Sequence, residues 1–74
     1  MDIFSKRVKE LRLEKKLTVN QLAKEMKMSS SEIYKIESAK VKVRMKTIIK
    51  YALYFNISSD YLLGHIDYKK LLRK

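Results

Sequence analysis

Phe4, Val8 and Leu11 recur at three- to four-residue spacing with charged residues between them, and Leu17 follows. This is the period of an amphipathic helix, and Asp2 stands where an N-cap belongs, so a first helix is expected over roughly residues 3 to 15. Thr18-Val-Asn-Gln21 and Ser29-Ser-Ser-Glu32 both have the form of a capping box. In that motif a hydroxyl accepts from the N3 amide while the N3 Glu or Gln reaches back to the cap. Two helices should therefore start eleven residues apart. The first of them can run only to about Met26, with Lys27 and Met28 as a tight connection. Leu22, Ala23 and Met26 form the inner stripe of one, Ile33 and Ile36 that of the next.

After Glu37 the helical period lapses through Ser38-Ala-Lys-Val-Lys-Val-Arg44. Cations alternate with valines there, so a strand is the rival reading. A loop is preferred because an isolated five-residue strand has no partner among helices. Met45, Ile48, Ile49, Ala52 and Phe55 restore the helical spacing, and Asn56 suits a left-handed stop. Ser58 caps a fifth helix with Asp60 in its first turn and Gly64 just past its end. The expected fold is all-α: five helices over residues 1–64, followed by a basic amphipathic tail, 65–74, for which a helix is one option.

Composition narrows what such a fold can do. At 74 residues the chain is one domain near the lower limit for a core without disulfides or metal, and it contains no cysteine and a single histidine, His65. Neither a zinc-thiolate site nor a nucleophile–base pair can be assembled, no glycine-rich phosphate loop is present, and His65 reads as a helix-end residue. No enzyme, cofactor, metal or small-molecule ligand is expected. Eighteen Lys and Arg against eight Asp and Glu give a net charge of +10. So basic a surface seeks a polyanion. The apolar runs are too short for a membrane span or a signal peptide, which leaves nucleic acid as the partner and the cytoplasm as the expected location.

Two short helices joined by a tight turn, with small polar residues opening the second, make a helix-turn-helix. The segment RVKELRLEKKLTVNQLAKEMKMSSSEIYKIESAK, followed by TIIKYALYFNISSDYLLG, resembles the Cro and phage-repressor type of helix-turn-helix domain, the lambda-repressor-like regulators of the xenobiotic-response-element family. The resemblance covers residues about 7 to 64 without a gap. It implies a bacterial or phage-encoded transcriptional regulator, usually a repressor, that binds inverted-repeat DNA as a homodimer. It also implies an ion pair between Arg12 in the first helix and Glu37 at the end of the recognition helix. The chain departs from the family's pattern at Val19, Lys27, Ala39 and Val43, where Gln, Gly, Gly and Pro are common.

On this reading Ser30, Ser31, Tyr34 and Lys35 lie on the outer face of the recognition helix and are the candidates for base contacts. Thr18, Ser29, Lys40, Lys42, Arg44 and Lys46 are the candidates for phosphate contacts. From Lys35 to Lys50 six cations face one acid, Glu37, which leaves +5 in sixteen residues. Two rival functions remain: an antitoxin or anti-repressor that uses the fold to hold a protein, and charge-driven binding to any nucleic acid. Self-association would fall to helix five and the tail through Tyr61, Leu62, Ile66, Tyr68 and Leu71, unless these side chains pack on their own core.

Overall fold

A computed structural model describes residues 2–73, and five helices account for most of them. They are α1 (Ile3–Glu14), α2 (Val19–Met26), α3 (Ser30–Glu37), α4 (Met45–Phe55) and α5 (Ser59–Leu62). Their starts follow the caps. The Asp2 carboxylate accepts from the Ser5 amide at 2.8 Å, and complete capping boxes open α2 (Thr18 with Gln21) and α3 (Ser29 with Glu32). Ser58 caps α5, whereas α4 begins at Arg44 with no side-chain cap.

The helix ends share one device. In the Schellman motif a left-handed residue just past the helix lets the next amide bond back to the carbonyl five residues earlier. Leu17, Met28, Lys40, Ile57 and His65 donate in this way to the carbonyls of Arg12, Ala23, Lys35, Ala52 and Asp60. The left-handed residues between are Lys16 (φ 57°), Lys27 (56°), Ala39 (57°), Asn56 (54°) and Gly64 (83°). Only Gly64 adopts this geometry without cost. A Cβ strains it by about 1–2 kcal/mol, and Asn tolerates it better than Lys or Ala.

α3 packs on α2 and α1, and α5 packs on α4 and α1, so α1 is the post shared by both halves. Val8, Leu22, Ile33, Tyr51 and Leu62 are wholly buried at the centre. Tyr51 meets Phe4 edge-on at 5.6 Å and stacks with Phe55 at 6.2 Å. The inner face of α4 differs from the expectation. Ile48, Ala52 and Phe55 are buried as expected, and Tyr51 joins them, but Met45 and Ile49 are exposed. The reason is rotational: α1 and α5 meet α4 on the Tyr51 side, which turns the row of Met45 and Ile49 outward.

The loop preferred after Glu37 is found, whereas the helix considered for the tail is not. Residues 38–44 form a loop, with no strand among the described residues. The tail is not helical: it runs back antiparallel to the start of α5. Ser58 N–H donates to the Lys70 carbonyl at 2.7 Å, and Leu72 N–H to the Asn56 carbonyl at 3.0 Å. The Asn56 side chain clasps the Arg73 backbone at 2.9 and 3.0 Å. Arg7 stacks over the Tyr61 ring at 4.1 Å and donates to the Tyr61 and Ile66 carbonyls, which ties α5 and the tail to α1. With its backbone engaged by a neighbouring segment, the tail gains nothing from turning helical.

Lys27→Gly should raise stability by about 0.5–1 kcal/mol, the strain relieved less the added entropy of the unfolded chain. In a domain of this size that is a gain of roughly 3–6 °C in Tm, read by thermal denaturation. Gly64→Ala should act oppositely, because its Cβ would lie 2.9 Å from Ile3 Cγ2 at a φ of +83°.

Candidate nucleic-acid interface

The recognition geometry begins inside the protein. Arg12 and Glu37 are both buried, with side chains 10% and 7% exposed. Arg12 Nε donates to Glu37 Oε2 at 2.8 Å and Nη2 to Oε1 at 3.0 Å, a two-pronged pair. Arg12 Nη1 donates to the Leu17 carbonyl at 2.7 Å. One guanidinium thus joins α1, the turn that leads into α2, and the last residue of α3. Ser5, also buried, donates its hydroxyl to the Ile36 carbonyl and fixes the same end of α3 to the start of α1. The Tyr51 hydroxyl lies in this region with no hydrogen-bond partner among the described residues. Burial, and after it the negative charge of Glu37, raises its pKa well above the usual tyrosine range.

With Ile33, Ile36 and Glu37 turned inward, the opposite face of α3 is presented to solvent. Ser31, Tyr34 and Lys35 are exposed there, Tyr34 by 58%, so its ring is not a packing element of the helix edge. Ser30 is half-buried, and its hydroxyl donates to Asn20 Oδ1, linking the first turn of α2 to the first turn of α3. Asn20 thus lies beside the candidate base-contact residue Ser30, and the sequence did not single it out. Nothing local pairs residues ten apart across a turn.

The candidate phosphate residues divide into two groups. Thr18 and Ser29 stand at the N-termini of α2 and α3 as caps. The Ser29 hydroxyl both accepts from the Glu32 amide at 3.1 Å and donates to Glu32 Oε1 at 3.2 Å, so its proton is occupied. The Thr18 hydroxyl accepts from the Gln21 amide at 3.1 Å and keeps its proton for an outside acceptor. Lys40, Lys42, Arg44 and Lys46 are exposed on the loop and the first turn of α4. Lys40 Nζ sits 5.5 Å above the Tyr34 ring. Glu37 is committed to Arg12, and none of these cations forms a salt bridge among the described residues.

Between α3 and this loop lies an open cleft of about 400 Å³, lined by Glu32, Lys35, Ile36, Val41–Arg44, Lys46 and Thr47. Four cations edge it. Because no side chain caps α4, the first-turn amides beside Arg44 and Lys46 are left for an external acceptor, an arrangement suited to a phosphate oxygen. Among the described residues no group of His, Asp and Glu could hold a metal ion, and no helix is long and apolar enough to cross a membrane.

A five-helix domain whose third helix stands braced and outward beside an unpaired basic loop is a helix-turn-helix DNA-binding domain. The profile of the helix-turn-helix family matches residues 8–62. The chain belongs to this family, the Cro and lambda-repressor type, which comprises DNA-binding domains and not enzymes. No curated protein and no solved structure shows significant similarity to it. It is a DNA-binding regulator of the helix-turn-helix kind.

Glu37→Ala should cost about 3–5 kcal/mol by stranding the buried guanidinium, whereas Arg12→Met with Glu37→Leu should recover most of that loss. Tyr51→Phe, which removes an unpaired buried hydroxyl at constant shape, should be neutral or stabilising by up to about 1 kcal/mol. Urea denaturation of the four proteins checks both statements.

Proposed function

We propose that this chain is a sequence-specific transcriptional repressor that reads the DNA major groove with the outer face of α3 and acts as a homodimer on an inverted-repeat operator. One observation carries this reading: Ser31, Tyr34 and Lys35 form an exposed face on a helix anchored from within by the Arg12–Glu37 pair. Polar groups held on a rigid element can discriminate base edges, because little side-chain or backbone freedom is lost on binding. Lys35 suits guanine O6 and N7, Ser31 either a base edge or a phosphate, and the Tyr34 ring a thymine methyl. Ser30, engaged by Asn20, orients that amide, whose own N–H donors can reach the same groove. Residues 1–64 act as the DNA-binding unit, and the work is done on DNA in the cytoplasm of a bacterium or a phage-infected cell.

The loop cations set register and affinity. Lys40, Lys42, Arg44 and Lys46 line the route of the phosphate backbone beside α3, and Thr18 adds a hydroxyl at the start of α2. If a dimer neutralises ~6–10 phosphates, affinity should fall by ~10³- to 10⁵-fold between about 50 and 200 mM salt. Salt alone does not separate a repressor from a nonspecific polycation. Selection from random duplexes, followed by competition with unrelated DNA, does. A repressor yields a preferred site, a polycation binds every sequence alike, and a protein-holding module on this fold selects no defined operator even at low salt.

Lys35→Ala and Tyr34→Ala should relax base preference by roughly 1–3 kcal/mol at the positions they read. Lys40→Ala or Arg44→Ala should weaken specific and random duplexes alike and reduce the salt slope by about one. Quantitative gel-shift titration at several salt concentrations tests the division; equal losses on both kinds of DNA for all four variants would refute it.

A further inference from the structure

Met45, Ile49 and Leu53 are 59%, 48% and 60% exposed, and they are spaced four residues apart, so they form one apolar row about 12 Å long on the outside of α4. No described element covers it. Lys46 and Lys50 form the adjacent row, and Lys46 shares the cleft beside α3 with Lys35. The apolar row therefore borders the basic DNA-facing side.

We propose that the Met45–Ile49–Leu53 row is the surface through which two copies of this chain meet on DNA, antiparallel across a twofold axis at Ile49. The proposal rests on the two-half-site reading above. Three observations select a second copy as the occupant. The row is self-complementary when reversed: Ile49 meets Ile49 of the other copy, and Met45 meets Leu53 at both ends, as an isologous contact requires. A twofold axis that runs in the contact plane, perpendicular to α4, leaves the two Lys46–Lys50 rows on the same side of the pair. One DNA duplex can then neutralise both rows. Finally, three half-exposed side chains supply far less than the ~800 Å² per partner of a stable interface. A contact that small holds only where adjacent half-sites raise the effective concentration toward the millimolar range.

The sites expected earlier for self-association are mostly engaged elsewhere. Tyr61 and Leu62 are buried in the chain's own core, and Ile66 is partly packed against it. Tyr68 and Leu71 remain exposed on the tail, at 58% and 55%, and supply the comparison.

The chain has no cysteine, so a single introduced thiol reports one position without ambiguity. Under mild oxidation, Ile49→Cys should form a disulfide dimer on a duplex with two inverted half-sites at least roughly tenfold faster than on a single half-site, and Tyr68→Cys should not. Ile49→Glu, at a half-exposed position, should keep the parent's thermal unfolding and single-half-site affinity but lose cooperative binding to the pair. Cross-linking through Tyr68→Cys in place of Ile49→Cys, or undiminished cooperativity in Ile49→Glu, overturns the proposal while leaving single-half-site recognition intact. If the parent selects no site, the functional reading itself fails. The pairing is then judged in DNA-free protein at millimolar concentration, where an Ile49→Cys dimer supports it and its absence overturns it.

Discussion

The Arg12–Glu37 pair is the constraint on which the rest of the molecule depends. Its two short hydrogen bonds join the middle of α1 to the last residue of α3, and the third guanidinium bond fixes the Leu17 carbonyl ahead of α2. Such a pair is not a large net source of stability, because desolvating two charges offsets most of their attraction. Its contribution is geometric: with both ions buried, any rotation of α3 that separates them leaves a charge unpaired in the core. The helix proposed to read DNA, α3, is thus held at its C-terminal end by electrostatics and at its N-terminal end by a capping box and the Ser30–Asn20 contact.

A second constraint follows from having almost no glycine. Each helix in a bundle this small must stop sharply, and all five do so through the same left-handed turn. Four of those turns are occupied by residues with a Cβ, at a strain of about 1–2 kcal/mol each where neither Gly nor Asn is present. Two of the four are lysines, exposed and charged. They add to the net charge that draws the chain to polyanions while lowering its stability, two effects acting on different links of the chain from sequence to function.

The parts of the fold that were legible in the sequence are those specified locally. The helix starts at Thr18, Ser29 and Ser58 come from side chains bonding amides two or three residues away, and the stops at Asn56 and Gly64 from residues suited to positive φ. The left-handed Lys16 and Ala39 carry no such signal, because neither residue type favours that geometry. The rotation of α4 was equally hidden. Ile48, Ile49 and Ala52 fit one apolar stripe, yet Tyr51 takes the core and Ile49 faces out, since the choice depends on where α1 and α5 dock. The Arg12–Glu37 pairing came from family resemblance and not from spacing. Ser5, Arg7, Asn20 and the returning tail act across long sequence separations that no local pattern encodes.

The apolar and cationic faces meet in one design. α1 anchors α3 from behind, α3 turns its polar face out, and the segment from Lys40 to Lys46 extends that face with charges that no carboxylate pairs among the described residues. The most direct measurement of this account is amide chemical-shift mapping of the protein titrated with a duplex obtained by site selection. The largest changes should fall on Asn20, Ser30–Lys35 and the loop from Lys40 to Lys46, with the α1 amides around Arg12 little moved. Changes centred on the tail or on α1, with α3 silent, would contradict it.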